Sequence, residues 1–186
     1  MIGYAFCGSF CTHEASFSSL LRLVNEGRSV VPIMSECAYS TDTRFHDAES
    51  FRERIEEICG RKIIHTVREA EPLGPKMPLE ALVIAPCTGN TLAKLANGIT
   101  DSAVTMAAKA HLRSDRPLLI ALASNDAMSH NLSNIGALLM RKSVYFVPLM
   151  QDDPVGKPHS LVANMALIPD ALMHMVRGEQ MRPLFI

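Results

Sequence analysis

Neither sign of charge prevails in this sequence: Lys and Arg number 18, Asp and Glu 19, and the net charge is −1. A surface so balanced gives no electrostatic case for nucleic acid or for an anionic membrane. Paired C-x-x-C spacing is also missing. The five cysteines (Cys7, Cys11, Cys37, Cys59, Cys87) are odd in number and scattered, the closest two being four apart. That arrangement argues against a disulfide framework and a structural zinc site, and no metal is expected. No apolar run approaches the length of a bilayer span. The opening Met1–Cys7 is apolar but short and has no basic leader, so it reads as a first core strand and the chain is expected in the cytoplasm. With 186 residues, 48% hydrophobic and 20% charged, the sequence suits a single domain over 1–186 that buries most of its apolar surface without staples.

What is present is organised around residues 82–101. The apolar run Leu82–Ala85 meets Pro86, and Thr88, Asn90 and Thr91 follow before helical spacing resumes at Leu92, Leu95 and Ala96. This is a strand, a polar turn and a helix. In an open α/β sheet, ligands sit where a strand's carboxyl end meets a helix N-terminus, because free backbone N–H groups and the helix dipole point there. Two threonines and an asparagine at that point suit a neutral polar ring or a phosphate. Gly98 ends the helix, and Thr100 or Asp101 is expected to cap the next.

The rest of the chain repeats the rhythm. Ile2–Cys7 is a strand, and Gly8–His13 leads into a helix with the apolar face Phe17, Leu20, Leu21 and Val24, stopped by Gly27. This loop has a small residue, a hydroxyl and fresh helix N–H groups, the ingredients of an anion site. It lacks the lysine of a P-loop and the third glycine of a dinucleotide fingerprint. Residues 29–34 give a second strand ending at Ser35, and Glu36–His46 read as a long polar loop. Asp47 caps a helix whose inner face is Phe51, Ile55 and Ile58. Lys62–Val67 reads as a short strand, and Pro72, Gly74, Pro75 and Pro78 mark an irregular connection. A helix through Val104, Ala107, Ala108 and Leu112 precedes the strand Leu118–Ala123, whose end, Ser124-Asn125-Asp126, is a third polar strand edge. Asn131–Leu139 is helical, Val144–Pro148 is the last strand, and Leu161, Met165, Ile168 and Leu172 share a face of a terminal helical stretch that Pro169 kinks or restarts. The fold class expected is α/β: a single Rossmann-like or flavodoxin-like three-layer domain, with a mostly parallel sheet and helices on both faces. Several polar loops at strand ends argue for one ligand crevice.

Pro86–Asp101 resembles, over sixteen contiguous positions, the P-x-S/T-x-N-T-I/L-A-K-I/L-A-x-G-I-x-D signature of the flavoprotein family that includes phosphopantothenoylcysteine decarboxylase, lantibiotic peptidyl-cysteine decarboxylases and flavin prenyltransferase. The resemblance implies an FMN contacted by Thr88, Asn90 and Thr91. It further implies that Gly8, Ser9 and Phe10, matching a G-S/A-x-S/A loop, bind the flavin phosphate region, that Ser35 touches the flavin, and that Ser124 and Asn125 join from the third edge. Family members place the flavin between protomers of a trimer, often built into a dodecamer, so a homo-oligomer is expected. The chain departs from the decarboxylating relatives in two places. Their P-A-M-N-x-x-M is replaced by the Ser124–Met128 segment, and no cysteine follows Cys87 to serve their product-protonating flap.

Residues 8–13, 86–91, 124–127 and the Gln151–Pro158 segment together resemble one branch of this family, found in spore-forming bacteria. That resemblance implies one component of an oxidoreductase that turns a dihydrodipicolinate-type dicarboxylate into aromatic dipicolinate during sporulation, with NAD(P) carried by a separate A subunit. His13, beside the first loop, and His46, in the long polar loop, are the histidines to test. Arg44 and Lys157 are candidate cations for the two substrate carboxylates. Lys94 and Lys109 fall on helices and read as solvated, and Cys87 reads as packing. Two alternatives stay open: a flavin-dependent decarboxylase or prenyltransferase, and a non-catalytic subunit that docks a partner and holds no flavin.

Overall fold

The computed structural model describes residues 1–74 and 76–186. Five strands, β1 (Ile2–Phe6), β2 (Val30–Met34), β3 (Ala81–Cys87), β4 (Leu118–Ser124) and β5 (Val144–Phe146), pair in parallel in the order β2-β1-β3-β4-β5. Every residue of β1, β2 and β3 is buried. A parallel strand covered by helices on both faces has no polar side to alternate with, which is why these strands read as unbroken apolar runs. The order 2-1-3-4-5 is flavodoxin-like, and it puts the topological switch point between β1 and β3.

Helix α1 (His13–Asn25) packs on α3 (Ala48–Cys59) and on α8 (Ile168–Val176), while α6 (Ala103–Leu112) packs on α4 (Val67–Ala70) and on α5 (Gly89–Asn97), which also meets α7 (Leu132–Leu139). No helix among the described residues is long and apolar enough to cross a membrane. Gly98 closes α5 in the left-handed conformation at φ 71°. Asp47 caps α3 by accepting from the Ser50 N–H at 2.8 Å.

Several local readings of the sequence need correction. The buried face of α1 is His13, Ser16, Phe17, Ser19, Leu20 and Leu23, while Leu21 is exposed. The cause is polar: Ser16 donates to the Ala85 carbonyl and Ser19 to the Met165 carbonyl, each at 2.6 Å, so hydroxyls occupy an inner face that an apolar count assigns elsewhere. The loop expected over Glu36–His46 begins as a helix, α2 (Glu36–Ser40), with Ser35 as its cap. Lys62–Val67 is no strand: Ile64 makes a lone bridge to Ile33, and a Thr66/Glu69 capping box starts α4 at Val67. Ser102, rather than Thr100 or Asp101, caps α6. Pro75, in the expected irregular connection, lies outside the described residues, and Glu71–Leu73 beside it forms a 3-10 turn.

Val144–Pro148 is not the last strand. β6 (Leu149–Met150) and β7 (Leu161–Ala163) form an antiparallel pair, and β7 lies along Ala123 and Ser124 at the end of β4. Leu161 therefore belongs to a strand, while Met165, in a 3-10 turn, and Ile168 and Leu172, in α8, are buried on the terminal helical stretch as expected. Pro169 sits in the first turn of α8, where its missing N–H leaves no bond unmade.

Candidate functional site

β1, β2 and β3 run parallel, so their carboxyl ends and the loops that leave them face the same way. Gly8, Ser35, Thr88, Asn90 and Thr91, from all three strand ends, line one cleft of about 440 Å³. Ser9, Phe10, Ser124 and Asn125 are not part of its lining. A larger groove, about 800 Å³, lies along β5 and the C-terminal tail and takes in none of the expected site residues.

The central turn is built from its own side chains. The β3–β4 pairing shifts register between Ile84 and Cys87, a local irregularity of the kind that re-aims side chains beside sites. Thr88 caps α5, its Oγ1 accepting the Thr91 N–H at 3.2 Å and donating to Thr91 Oγ1 at 3.1 Å. Thr91 Oγ1 in turn donates to Cys7 Sγ at 3.3 Å. Asn90 is exposed into the cleft. Gly8 is small for a reason, since a Cβ there would stand 3.2 Å from Cys37 Sγ. Ser35 Oγ accepts the Ala38 N–H at 3.3 Å.

The third strand edge acts from behind the turn. Asp126 accepts from Ser124 Oγ (2.5 Å) and from Asn131 Nδ2 (2.9 Å), and these bonds, the Ser124 hydroxyl first, hold its carboxyl below the ordinary range. All three side chains crowd Gly89: a Cβ on that glycine would lie 2.6 Å from Asn131 Nδ2 and 2.8 Å from Asp126 Oδ1. Asn125 points to solvent.

The histidine candidates are structural neighbours of the first loop. His13 is fully buried; its Nε2 donates to the Cys7 carbonyl at 2.7 Å, and its Nδ1 lies 2.8 Å from His46 Nε2. Burial lowers its pKa to about 4, with the Cys7 carbonyl opposing. Phe51 stacks on both rings, and Phe10 packs against them at 5.1 and 6.0 Å. Arg44 is exposed over the Phe45 ring, and Lys157 is tied to Asp152 at 2.9 Å.

The cleft also contains groups that the sequence does not mark as site residues: Glu36, Cys37, Lys94, Asp101 and Ser102. Lys94 Nζ meets Asp101 Oδ2 at 2.9 Å, which lowers the Asp101 carboxyl. A signal for Lys94 exists in the spacing. It is four residues beyond Asn90, one helical turn on the same face.

The family model described as Flavoprotein matches residues 8–169. The chain belongs to the flavoprotein family. Among flavoproteins it is 43% identical, over 185 residues, to the B subunit of dipicolinate synthase from Bacillus subtilis (strain 168), covering 100% of this chain and 92% of the relative. The crystal structure of the dipicolinate synthase B subunit from Bacillus halodurans C is similar at TM-score 0.91 and 40% identity, covering 100% of this chain and 95% of that one. The cysteine decarboxylase SpaF, described as FMN-dependent, shares the flavoprotein fold at TM-score 0.69 and 19% identity over 95% of each chain.

Proposed function

We propose that this flavoprotein is the flavin-holding subunit of a dipicolinate-forming oxidoreductase, with FMN in the strand-end cleft and a separate A subunit carrying NAD(P). The carrying observation is the convergence of Gly8, Ser35, Thr88, Asn90 and Thr91 on one cleft at the ends of three parallel strands. Two relatives named for the B component of dipicolinate synthase, at 43% and 40% identity, support the substrate class, a dihydrodipicolinate-type dicarboxylate oxidised to its aromatic form in the cytoplasm of a sporulating cell.

The residues fit a flavin. The cleft has the volume of a cofactor pocket. Gly8 lets a ligand approach the backbone closely, and Ser35, Asn90 and the α5 N-terminus bring polar groups to the same place. When bound, FMN supplies two-electron redox chemistry. The chain's own part is to bind and orient. Thr88 and Asn90 fix the ligand against the turn, while Asp126, Ser124 and Asn131 hold the turn from behind. His13, neutral and with its N–H committed to the Cys7 carbonyl, braces the first loop and takes no proton from substrate.

The ionisable groups lining the cleft are Glu36, Cys37, Lys94 and Asp101, and its one cation is already held by Asp101. Two substrate carboxylates therefore need cations from elsewhere. We assign these to a neighbouring chain, either the A subunit or another copy in a trimer or dodecamer.

The test is the absorbance spectrum of the freshly purified chain with and without added FMN, repeated on a Thr88→Ala, Asn90→Ala double variant. A flavin spectrum that the double variant loses supports the cleft as the cofactor site. No binding at any practical FMN concentration leaves a protein that docks its partner without flavin. Product analysis with the A subunit and the dihydro substrate separates oxidation from decarboxylation or prenyl transfer.

A further inference from the structure

The hydroxyl groups of the central turn already have directions. Thr88 Oγ1 donates to Thr91 Oγ1, and Thr91 Oγ1 donates to Cys7 Sγ. Thr88 Oγ1 also accepts the Thr91 backbone N–H. The chain of donors ends at Cys7, which follows β1 and is 1% exposed. Burial raises the Cys7 thiol to about 11, with the Thr91 hydroxyl and the Thr88 backbone opposing, so it remains neutral. A hydroxyl has one proton and two lone pairs. Thr88 has its proton and one lone pair in use, and the other lone pair is left for the cleft that it lines.

We propose that Cys7 is a positioning residue for the ligand of this cleft: as the terminal acceptor of the Thr88–Thr91–Cys7 chain it fixes Thr88 as an acceptor. The ligand group seated on Thr88 is then an N–H or O–H donor, such as a ring imide or a polyol hydroxyl, and not a phosphate or a carbonyl oxygen. This decides between the two kinds of ligand group that two threonines and an asparagine suit. The anionic end of the ligand is left to the hydroxyl and the ammonium in the cleft lining, Ser35 and Lys94. The inference rests on the flavin reading and adds to it a polarity and a residue outside the cleft.

The experiment is FMN titration of the purified chain, followed by flavin absorbance, with thermal melting to verify folding. Cys7→Ala removes the terminal acceptor and lets both hydroxyls turn, so FMN affinity falls roughly three- to tenfold, the worth of one net hydrogen bond. Cys7→Ser keeps a lone pair at that position and restores the wild-type affinity. If Cys7→Ala does not fold, Cys7→Val, closer in volume and equally without an acceptor, gives the same loss. Affinity in the acceptor-free variant equal to or tighter than wild type, while Thr88→Ala, Asn90→Ala still abolishes binding, overturns the role of Cys7 and leaves the flavin reading standing. A double variant that binds FMN as wild type does overturns both.

Discussion

His13 Nδ1 accepts the Nε2–H of His46 at 2.8 Å, because its own Nε2 is committed as the donor to the Cys7 carbonyl. A neutral imidazole has one N–H, so the carbonyl, which only accepts, sets both tautomers. Protonating His13 would put two N–H groups face to face in a buried place. Burial first, and then the His46 ring, set its pKa near 4. An unfolded histidine titrates near 6.5. Between these values the unfolded chain holds the extra proton, so stability falls as pH drops through 6.5 toward 4 and is fully present above 6.5. The His13 contribution to that loss is on the order of 3 kcal/mol. Urea midpoints measured from pH 8 to pH 4.5 should fall with acid, and His13→Gln should flatten the curve. His111, also lowered by burial, leaves some slope in the variant. An unchanged curve in His13→Gln would remove this histidine from the acid response.

Gly89 is the place where the turn has no room. Adding a methyl group presses on Ser124 Oγ, Asn131 Nδ2 and Asp126 Oδ1 together. Gly89→Ala should cost about 1–3 kcal/mol of stability, the usual range for overpacking. It should also weaken FMN binding by displacing the start of α5. Adding Ser124→Gly, which clears the nearest of the three atoms, should recover part of both losses. A Gly89→Ala chain with wild-type melting and binding would mean the third strand edge does not support the turn.

The parallel sheet and the polar turn at its strand ends are legible in the sequence because both depend on short-range signals. Buried strands read as apolar runs, and Thr88, Asn90 and Thr91 stand between a strand and a helix, as a strand-end site requires. The misreadings arise where tertiary partners override periodicity. Ser16 and Ser19 are polar residues made welcome inside by the Ala85 and Met165 carbonyls, which a hydropathy pattern cannot anticipate. β7 is three residues long, too short for alternation to be recognised, and it exists because the end of β4 offers it a partner. Lys94 looks solvated on its helix, and only the fold of the segment after Gly98 brings Asp101 back to it in the cleft lining. Asp126 reads as one of three polar residues in a row, but its bonds to Ser124 and Asn131 depend on a turn that composition does not specify.

The free edge of β5 is closed by one side chain. Gln180 Oε1 accepts the Phe146 N–H at 2.8 Å and Gln180 Nε2 donates to the Phe146 carbonyl at 2.7 Å, as a neighbouring strand would. Phe146 is fully buried, so Gln180→Ala leaves two main-chain groups unpaired and should cost about 1–3 kcal/mol. It also leaves a strand edge on which another copy can pair. Gln180→Glu keeps the acceptor and loses the donor, so it should fall between the two. Denaturant midpoints order the three chains, and light scattering reports whether the open edge promotes association. Identical midpoints would mean that solvent replaces Gln180 at no cost.

Lys94 and Asp101 pair at 2.9 Å in the lining of the cleft, and each restrains what the other can do for a ligand. With Asp101 present, the ammonium is held by a carboxylate, and the pair offers an anionic ligand little net positive charge. Asp101→Asn leaves Lys94 its full charge, so FMN should bind more tightly, about threefold at low ionic strength, with the gain shrinking as salt screens it. Lys94→Gln should do the reverse, because it leaves Glu36 and Asp101 as the only charges lining the cleft. Riboflavin, which has no phosphate, should respond to neither substitution. Titrations with both ligands at two salt concentrations separate charge from shape. Equal effects on FMN and riboflavin would mean that the pair holds the segment after Gly98 in place and does not touch the anionic end of the ligand.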